Sequence, residues 1–440
     1  MLKVLANRVY RHLLMAQVIA LVGTGLATVA LGLLAYDLAG ADAGKVLGTA
    51  LAIKMIAYIG VAPIAAAFAE RLPRRTMLVT LDLVRAGVAV LLPFVTQIWE
   101  VYALIFILQS ASAAFTPTFQ ATIPDVLPDE KEYTRALSLS RLAYDLESVA
   151  SPMLAAALLT VISFHDLFAG TAIGFLASAA LVVSVVLPSP KVIEHRRIYD
   201  RTTRGLRIYL ATPRLRGLLA LNLAIAAASS MVIVNTVVLV QAEFGLTQRA
   251  TAIALAAFGS GSMIAALLLP RLLDDMPDRK AMLAGASVLV IGLFVGTQVP
   301  SFGWLLPLWF VLGLGYSLAQ TPSGRLLRRS SRPEDRPALF AAQFALSHAC
   351  WLVTYPVAGW LGATAGLPFT FAALGLTAAV SVFVAMQLWP SRDADVIEHV
   401  HDTLDEGHPH ISEAAGFGSG RRHAHAYVID SEHPKWPRSA

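Results

Sequence analysis

Glu70-Arg71-Leu72-Pro73-Arg74-Arg75 and Asp274-Asp275-Met276-Pro277-Asp278-Arg279 are two versions of one short polar stretch, set 204 residues apart. Each follows the second apolar run of its half, and such runs of about 20 residues cross a hydrocarbon core roughly 30 Å thick as helix. Three further matches keep the register: Thr116-Pro117 with Thr321-Pro322, Pro128-Asp129-Glu130 with Pro333-Glu334-Asp335, and Pro152 with Pro356. Four matches in one register and one topological position indicate a duplicated six-helix unit. Parallel repeats of this kind form two bundles that rock about a site between them.

Around these loops hydropathy places twelve transmembrane helices, near residues 13–36, 46–69, 77–96, 99–119, 137–162 and 166–187, then 217–241, 250–270, 281–299, 303–321, 340–363 and 367–389. Of the 440 residues 56% are hydrophobic and 14% charged, where a soluble domain carries about 25% charged residues. Mean hydropathy is +0.64. The expected fold is therefore an all-α membrane protein with an N-terminal bundle over 1–187, a basic linker over 188–216, a C-terminal bundle over 217–389 and a tail over 390–440. The first apolar run is too long for a signal peptide and is expected to be retained. Lys45 and Arg249 lie in loops on one side, and Lys54, Arg85 and Arg141 fall within spans; the other Lys and Arg lie in the termini and the loops of the opposite side. The positive-inside rule then puts both termini in the cytoplasm.

Several function classes are excluded or weakened. The single cysteine, Cys350, sits inside an apolar run, so no internal disulfide or thiolate metal cluster forms. A net charge of +5 and a pI near 9.3 would suit nucleic acid, but the charges are confined to short loops between spans. No His-Glu-x-x-His or Gly-x-Ser-x-Gly motif is present, and Gly40 to Lys45 lacks the spacing of a phosphate loop. The expectation is a protein that is not an enzyme, carries no cofactor and works as a monomer.

Residues 1–389 resemble the major facilitator superfamily. Its loop signature after the second helix is matched by Ala66, Glu70, Arg71, Arg74 and Arg75, with Ala66 and Pro73 standing where the family prefers glycine. The segment FTPTFQATIPDVLPDEKEYTRAL, Phe115 to Leu137, is similar to the corresponding stretch of drug, siderophore and metal exporters. The family's helix-5 antiporter motif is reduced here to Ser151-Pro152-Met153-Leu154-Ala155-Ala156, and helix 4 carries Gln109 in place of an arginine.

Ionisable side chains at bilayer depth cost about 2.5 to 3.5 kcal/mol or more, so each needs a partner or a purpose. Asp82 and Arg85 are three apart on one helix face, and Arg141 and Asp145 four apart; both read as intrahelical pairs. The first is expected to act with Glu70 and Arg75 as part of a gating loop. Glu147 is rotated roughly 200° from Asp145 and lies near the midplane with no partner on its own helix. A carboxyl group so placed suits proton exchange near neutral pH. Lys54 is the only lysine in a span and is a candidate to neutralise one of these acids. His348 offers an imidazole for metal or proton. Asn222 and Asn235 either line the cavity or bond between helices.

After Trp389-Pro390 the composition changes. Three His-x-His units, His399/His401, His408/His410 and His423/His425, are followed by His433. In an extended chain residues i and i+2 share a side, so each unit offers two imidazoles to one ion. Glu398, Asp402, Asp405 and Glu406 add carboxylates, a donor set for nickel, cobalt, zinc or copper(II). With this tail the chain resembles the histidine-tailed nickel-resistance exporters of the superfamily. That resemblance implies a proton-coupled exporter of nickel, and of cobalt as well, in a bacterial inner membrane. The rival readings are an exporter of amphipathic drugs or a siderophore, and a non-transporting receptor with a metal-sensing tail.

Overall fold

The computed structural model describes residues 2–39, 43–69, 72–188, 198–393, 396–400, 422–430, 432–433 and 435–437. The long helices are α1 (Arg8–Ala39), α2 (Ala43–Ala69), α3 (Arg74–Leu91), α4 (Ile98–Val126), α5 (Glu130–Leu158) and α6 (Phe164–Val183), then α8 (Pro213–Val237), α9 (Gln248–Asp275), α10 (Asp278–Gly296), α11 (Phe302–Gln320), α13 (Arg336–Thr364) and α14 (Leu367–Leu388). Two shorter ones, α7 (Ile198–Ala211) and α12 (Ser323–Arg329), lie between them. Local chemistry sets the ends. The Asp129 side chain accepts from the Glu132 amide at 2.9 Å and starts α5. Capping boxes at Gln97 and Ser163 start α4 and α6, and Gly366 takes the positive φ (84°) of the turn into α14.

In the first half α1 packs on α5 and α6, and α3 on α4 and α6; in the second α8 packs on α13 and α14, and α11 on α9 and α10. The halves meet through α2 on α13 and α5 on α9. The repeat maps α2 onto α9 and α5 onto α13, so this is one contact made twice about a pseudo-twofold axis. A Cβ at Gly261 would collide with the Phe310 carbonyl, and one at Gly313 with that of Phe258; α9 and α11 pack backbone to backbone on these glycines. Phe94, Ile173, Leu376 and Phe383 are more than half exposed on the outside, an apolar surface of the kind a bilayer covers.

Ten helices among the described residues are long and apolar enough to cross a membrane, against the twelve expected. Of the two others, α2 (Ala43–Ala69) contributes the apolar stretch Ala52–Ala65 among the residues whose side chains are described, and the apolar run of α5 is broken by Arg135, Arg141, Asp145 and Glu147. Both pack across the junction between the halves, α2 on α13 and α5 on α9. The expected linker contains α7, which packs on α13 and α2 and joins Arg204 Nη2 to Asp335 Oδ2 at 2.6 Å.

The all-α expectation misses one element. Strands β1 (Val396–Val400) and β2 (Arg422–Ala426) pair antiparallel, with His399 opposite His423 and Ile397 opposite His425. The three β-branched residues of Val396-Ile397-Glu398-His399-Val400 are the signal that went unread. The segment after β2 is docked: Tyr427 and Ile429 join the hydrophobic core of the second half, and Trp436 packs against it. Asp430 pairs with Arg332 at 2.7 Å, and the Arg214 guanidinium lies 5.1 Å from the Trp436 ring centroid. Burial alone would push the Asp430 carboxyl up, but hydrogen bonds from His433 and the charge of Arg332 outweigh it and hold it at about 2.

Candidate functional site

At the junction of the halves, α5 presents a pair of charges to the second bundle. Arg141 Nε donates to Asp145 Oδ2 at 3.1 Å, and a second guanidinium nitrogen donates to Oδ1. The pair then reaches across. Arg141 Nη1 donates to the Tyr316 hydroxyl at 3.1 Å, its guanidinium covers the Tyr316 ring at 4.5 Å, and Ser262 Oγ on α9 donates to Asp145 Oδ2 at 2.6 Å. Two charges that cancel each other and are saturated by hydroxyls are what a low-dielectric interior tolerates.

Glu147, one half-turn away, has a different setting. It stands half-buried beside α1, where a Cβ on Gly25 would collide with Ser151 Cβ and lie 2.8 Å from Glu147 Oε1; glycine lets α5 approach α1 closely here. The opposite charge acting on Glu147 is that of Lys54 on α2, and the same lysine acts on His348 of α13. His348 Nδ1 bonds the Phe344 carbonyl at 2.7 Å, and its ring meets those of Tyr58 at 4.8 Å and Phe344 at 4.2 Å. Lys54 lies 5.5 Å from the Tyr58 ring. A carboxylate, an ammonium and an imidazole from both halves therefore share one electrostatic site, with an aromatic wall.

The end of the molecule that carries the basic loops is closed by ties between the halves. Asp125 accepts from Arg74 of its own half and from Arg336 of the other. Arg325 reaches Glu130 at 2.5 Å and Thr134 Oγ1 at 2.9 Å, while Asp278 holds it from its own side at 3.0 Å. Arg328 donates to the Pro128 carbonyl, and Lys131 meets Asp274 at 3.6 Å.

The sequence model of the family described as Major Facilitator Superfamily matches residues 13–234 and again 218–400. The chain belongs to the major facilitator superfamily. It is a multi-pass membrane transporter, in a family and fold that are generally not enzymes. A curated relative, the uncharacterized MFS-type transporter YfiS of Bacillus subtilis strain 168, is 24% identical over 144 residues, 33% of this chain and 34% of that protein; the match spans about a third of the relative's length. Among solved structures, the human organic anion transporter MFSD10 (TETRAN) superposes with a TM-score of 0.74 at 12% identity, covering 86% of this chain and 99% of that one. A bacterial homologue of the iron transporter ferroportin in the outward-facing state gives 0.73 at 13%, with 86% and 99% covered. The E. coli fucose:proton symporter FucP gives 0.68 at 13%, with 87% and 98% covered. At these identities the likeness concerns the fold alone.

Within this superfamily fold the sequence candidates separate into groups. Glu147, Lys54 and His348 come together, with Arg141 and Asp145 beside them. Asp82 pairs with Arg85 inside the first bundle, where Ser178 Oγ donates to Asp82 Oδ2 at 2.8 Å and Phe115 and Phe175 cover the guanidinium. Arg75 donates to the Val183 carbonyl, and it is Arg74 that joins the network at Asp125. Glu70 and Arg71 lie outside the described residues. Asn222 donates to Gln343 Oε1 at 3.4 Å and Asn235 to the Ala358 carbonyl at 3.1 Å, both tying α8 to α13. In the tail, His401, His408 and His410 lie outside the described residues. Sequence reasoning passed over Tyr58, Ser262, Tyr316, Arg336 and Asp125, although Asp125 sits inside the quoted segment Phe115 to Leu137.

Proposed function

We propose that this superfamily member is a proton-coupled exporter of a divalent metal ion, nickel first and cobalt second, conferring metal resistance at a bacterial inner membrane. The observation that carries the reading is that Lys54 of the first half overlies the Tyr58 ring at 5.5 Å, and that ring packs 4.8 Å from His348 of the second half, with Glu147 on α5. One carboxylate then has three claimants: the lysine, a proton and a divalent ion. Competition among them couples the two flows, because the ion leaves when a proton takes its place. Imidazole nitrogen with carboxylate oxygen suits borderline divalent ions. In this reading α2 and α5 complete twelve spans, both termini are cytoplasmic, and the ties at Asp125 and Glu130 seal the cytoplasmic mouth of an outward-open form.

The test is metal uptake into sealed inside-out vesicles under an imposed pH gradient, with nickel, cobalt and zinc compared. Gradient-driven nickel accumulation that Glu147→Gln abolishes supports the reading; accumulation unchanged by that substitution sinks it. A second reading, export of amphipathic organic molecules, is favoured by the aromatic wall of Tyr58, Phe344, Phe258 and Tyr316. Saturable, gradient-driven movement of an amphipathic dye with none of nickel would select it.

A further inference from the structure

Beyond the junction between the halves, the docked tail carries its own donor cluster. Asp430, Glu432 and His433 each offer one ligand atom, and these atoms lie within 4.8 Å of one another. The turn is tightly built. Asp430 Oδ1 accepts from His433 Nδ1 at 2.8 Å and from the amides of Glu432 and His433 at 2.9 and 2.7 Å. His433 is 2% exposed. The ring of His425 on β2 stands 5.0 Å from that of His433, where a fourth ligand would come. Two carboxylates and one or two imidazoles make a set for zinc, nickel or cobalt and not for calcium or sodium.

This cluster is also the clasp of the tail. Asp430 Oδ2 binds Arg332 at 2.7 Å, four residues before Arg336, which crosses to Asp125. The docked segment therefore bears on the loop that supplies a tie between the halves.

We propose that Asp430, Glu432 and His433 form a divalent-metal site that unlatches the C-terminal tail. An ion bound there takes the lone pair that His433 Nδ1 gains when its proton, now donated to Asp430, moves through water to Nε2 of the same ring, and it brings two positive charges beside the Arg332 guanidinium. Arg332 and the ion compete for one carboxylate, and the like charges repel. The tail leaves Arg332 and Arg214, and the loop at 330–336 loses its cover. This regulation rests on the metal-exporter reading for its purpose and not for its chemistry.

The experiment is hydrogen–deuterium exchange on the full chain in lipid nanodiscs, titrated with zinc chloride, reading the segments 213–217 and 330–336 that the tail touches. Zinc should raise their exchange at least about tenfold, whereas Arg332→Ala should give the raised rate without zinc. Glu432→Gln and His433→Gln should each move the zinc midpoint up by about tenfold or more, while the tail stays docked in metal-free buffer. Loss of a ligand costs at least as much affinity as loss of an outer partner, about 10- to 100-fold. Should either His433→Gln or Arg332→Ala disrupt folding, the Glu432→Gln variant, which leaves the Asp430 clasp in place, carries the test. Exchange indifferent to zinc in the wild-type chain overturns the proposal, and so does a midpoint unchanged in both Glu432→Gln and His433→Gln, which would place the metal on other histidines. A chain that moves no metal in vesicles yet shows the zinc response supports the latch and overturns only the exporter reading.

Discussion

Arg336→Ala should release the closed end of the transporter without unfolding either half. Its guanidinium and the Asp125 carboxylate are 13% and 10% exposed, so solvent screening is slight and the tie counts as a charge-assisted hydrogen bond worth about 1.5 to 3 kcal/mol. At about 1.4 kcal/mol per tenfold, the open-to-closed ratio should rise by roughly 10- to 150-fold. Asp125 keeps Arg74, so no buried carboxylate is stranded and the first bundle should retain its stability. The measurement is a spin-label distance between Lys131→Cys and Asp274→Cys in a Cys350→Ala background, since Cys350 is buried and the Lys131–Asp274 pair is exposed and weak. Arg75→Ala is the control, because Arg75 bonds within its own half and should leave the distribution unchanged. An unchanged distribution in Arg336→Ala, or an equal shift in the control, would refute the assignment of the gate.

Glu147→Gln should leave protein in the membrane while removing pH-driven transport, read in the vesicle assay; wild-type pH dependence would return Glu147 to a structural role. Asp145→Asn strips the counter-charge from Arg141, and breaking a buried pair costs about 3 to 5 kcal/mol, so the melting temperature in detergent should drop well below that of Glu147→Gln. A melting temperature equal to wild type would mean that the Arg141–Asp145 pair bears no load. Changing His399, His401, His408 and His410 to Ala should raise the half-saturation concentration for nickel with little change in maximal rate, since a tethered chelator acts when metal is scarce; unchanged kinetics would reject metal loading by those residues. Deleting residues 391–440 is a poorer test, because Tyr427 and Ile429 belong to the hydrophobic core of the second half.

The duplicated loops and the hydropathy carried most of the fold, because apolar length and charge position are local properties that a sequence displays directly. The weak spot was α5, whose Arg141, Asp145 and Glu147 dilute the apolar signal where the halves touch. Pairing three or four apart on one helix was legible, as Asp82 with Arg85 and Arg141 with Asp145 illustrate. Partners distant in sequence were not: nothing in the spacing of Lys54 and His348 tells that both meet the ring of Tyr58. Arg75 and Arg74 show the finer limit, since adjacent residues on a helix point about 100° apart and only the packed structure tells which one reaches Asp125.

The ties at the closed end are unequal on the two sides of the pseudo-twofold axis. The repeat carries Asp125 onto Ser330 and Arg336 onto Lys131, so the buried two-armed acid exists on one side only. On the other, Arg325 holds Glu130, which is 52% exposed, and Lys131 and Asp274 are 70% and 44% exposed; exposed pairs of this kind contribute between zero and about 1 kcal/mol each. Water entering this end breaks the exposed side first, while Asp125 holds as a fulcrum. The two bundles should then part like a door on its jamb, and the earliest opening should widen near α5 and α9 before α4 and α13 separate.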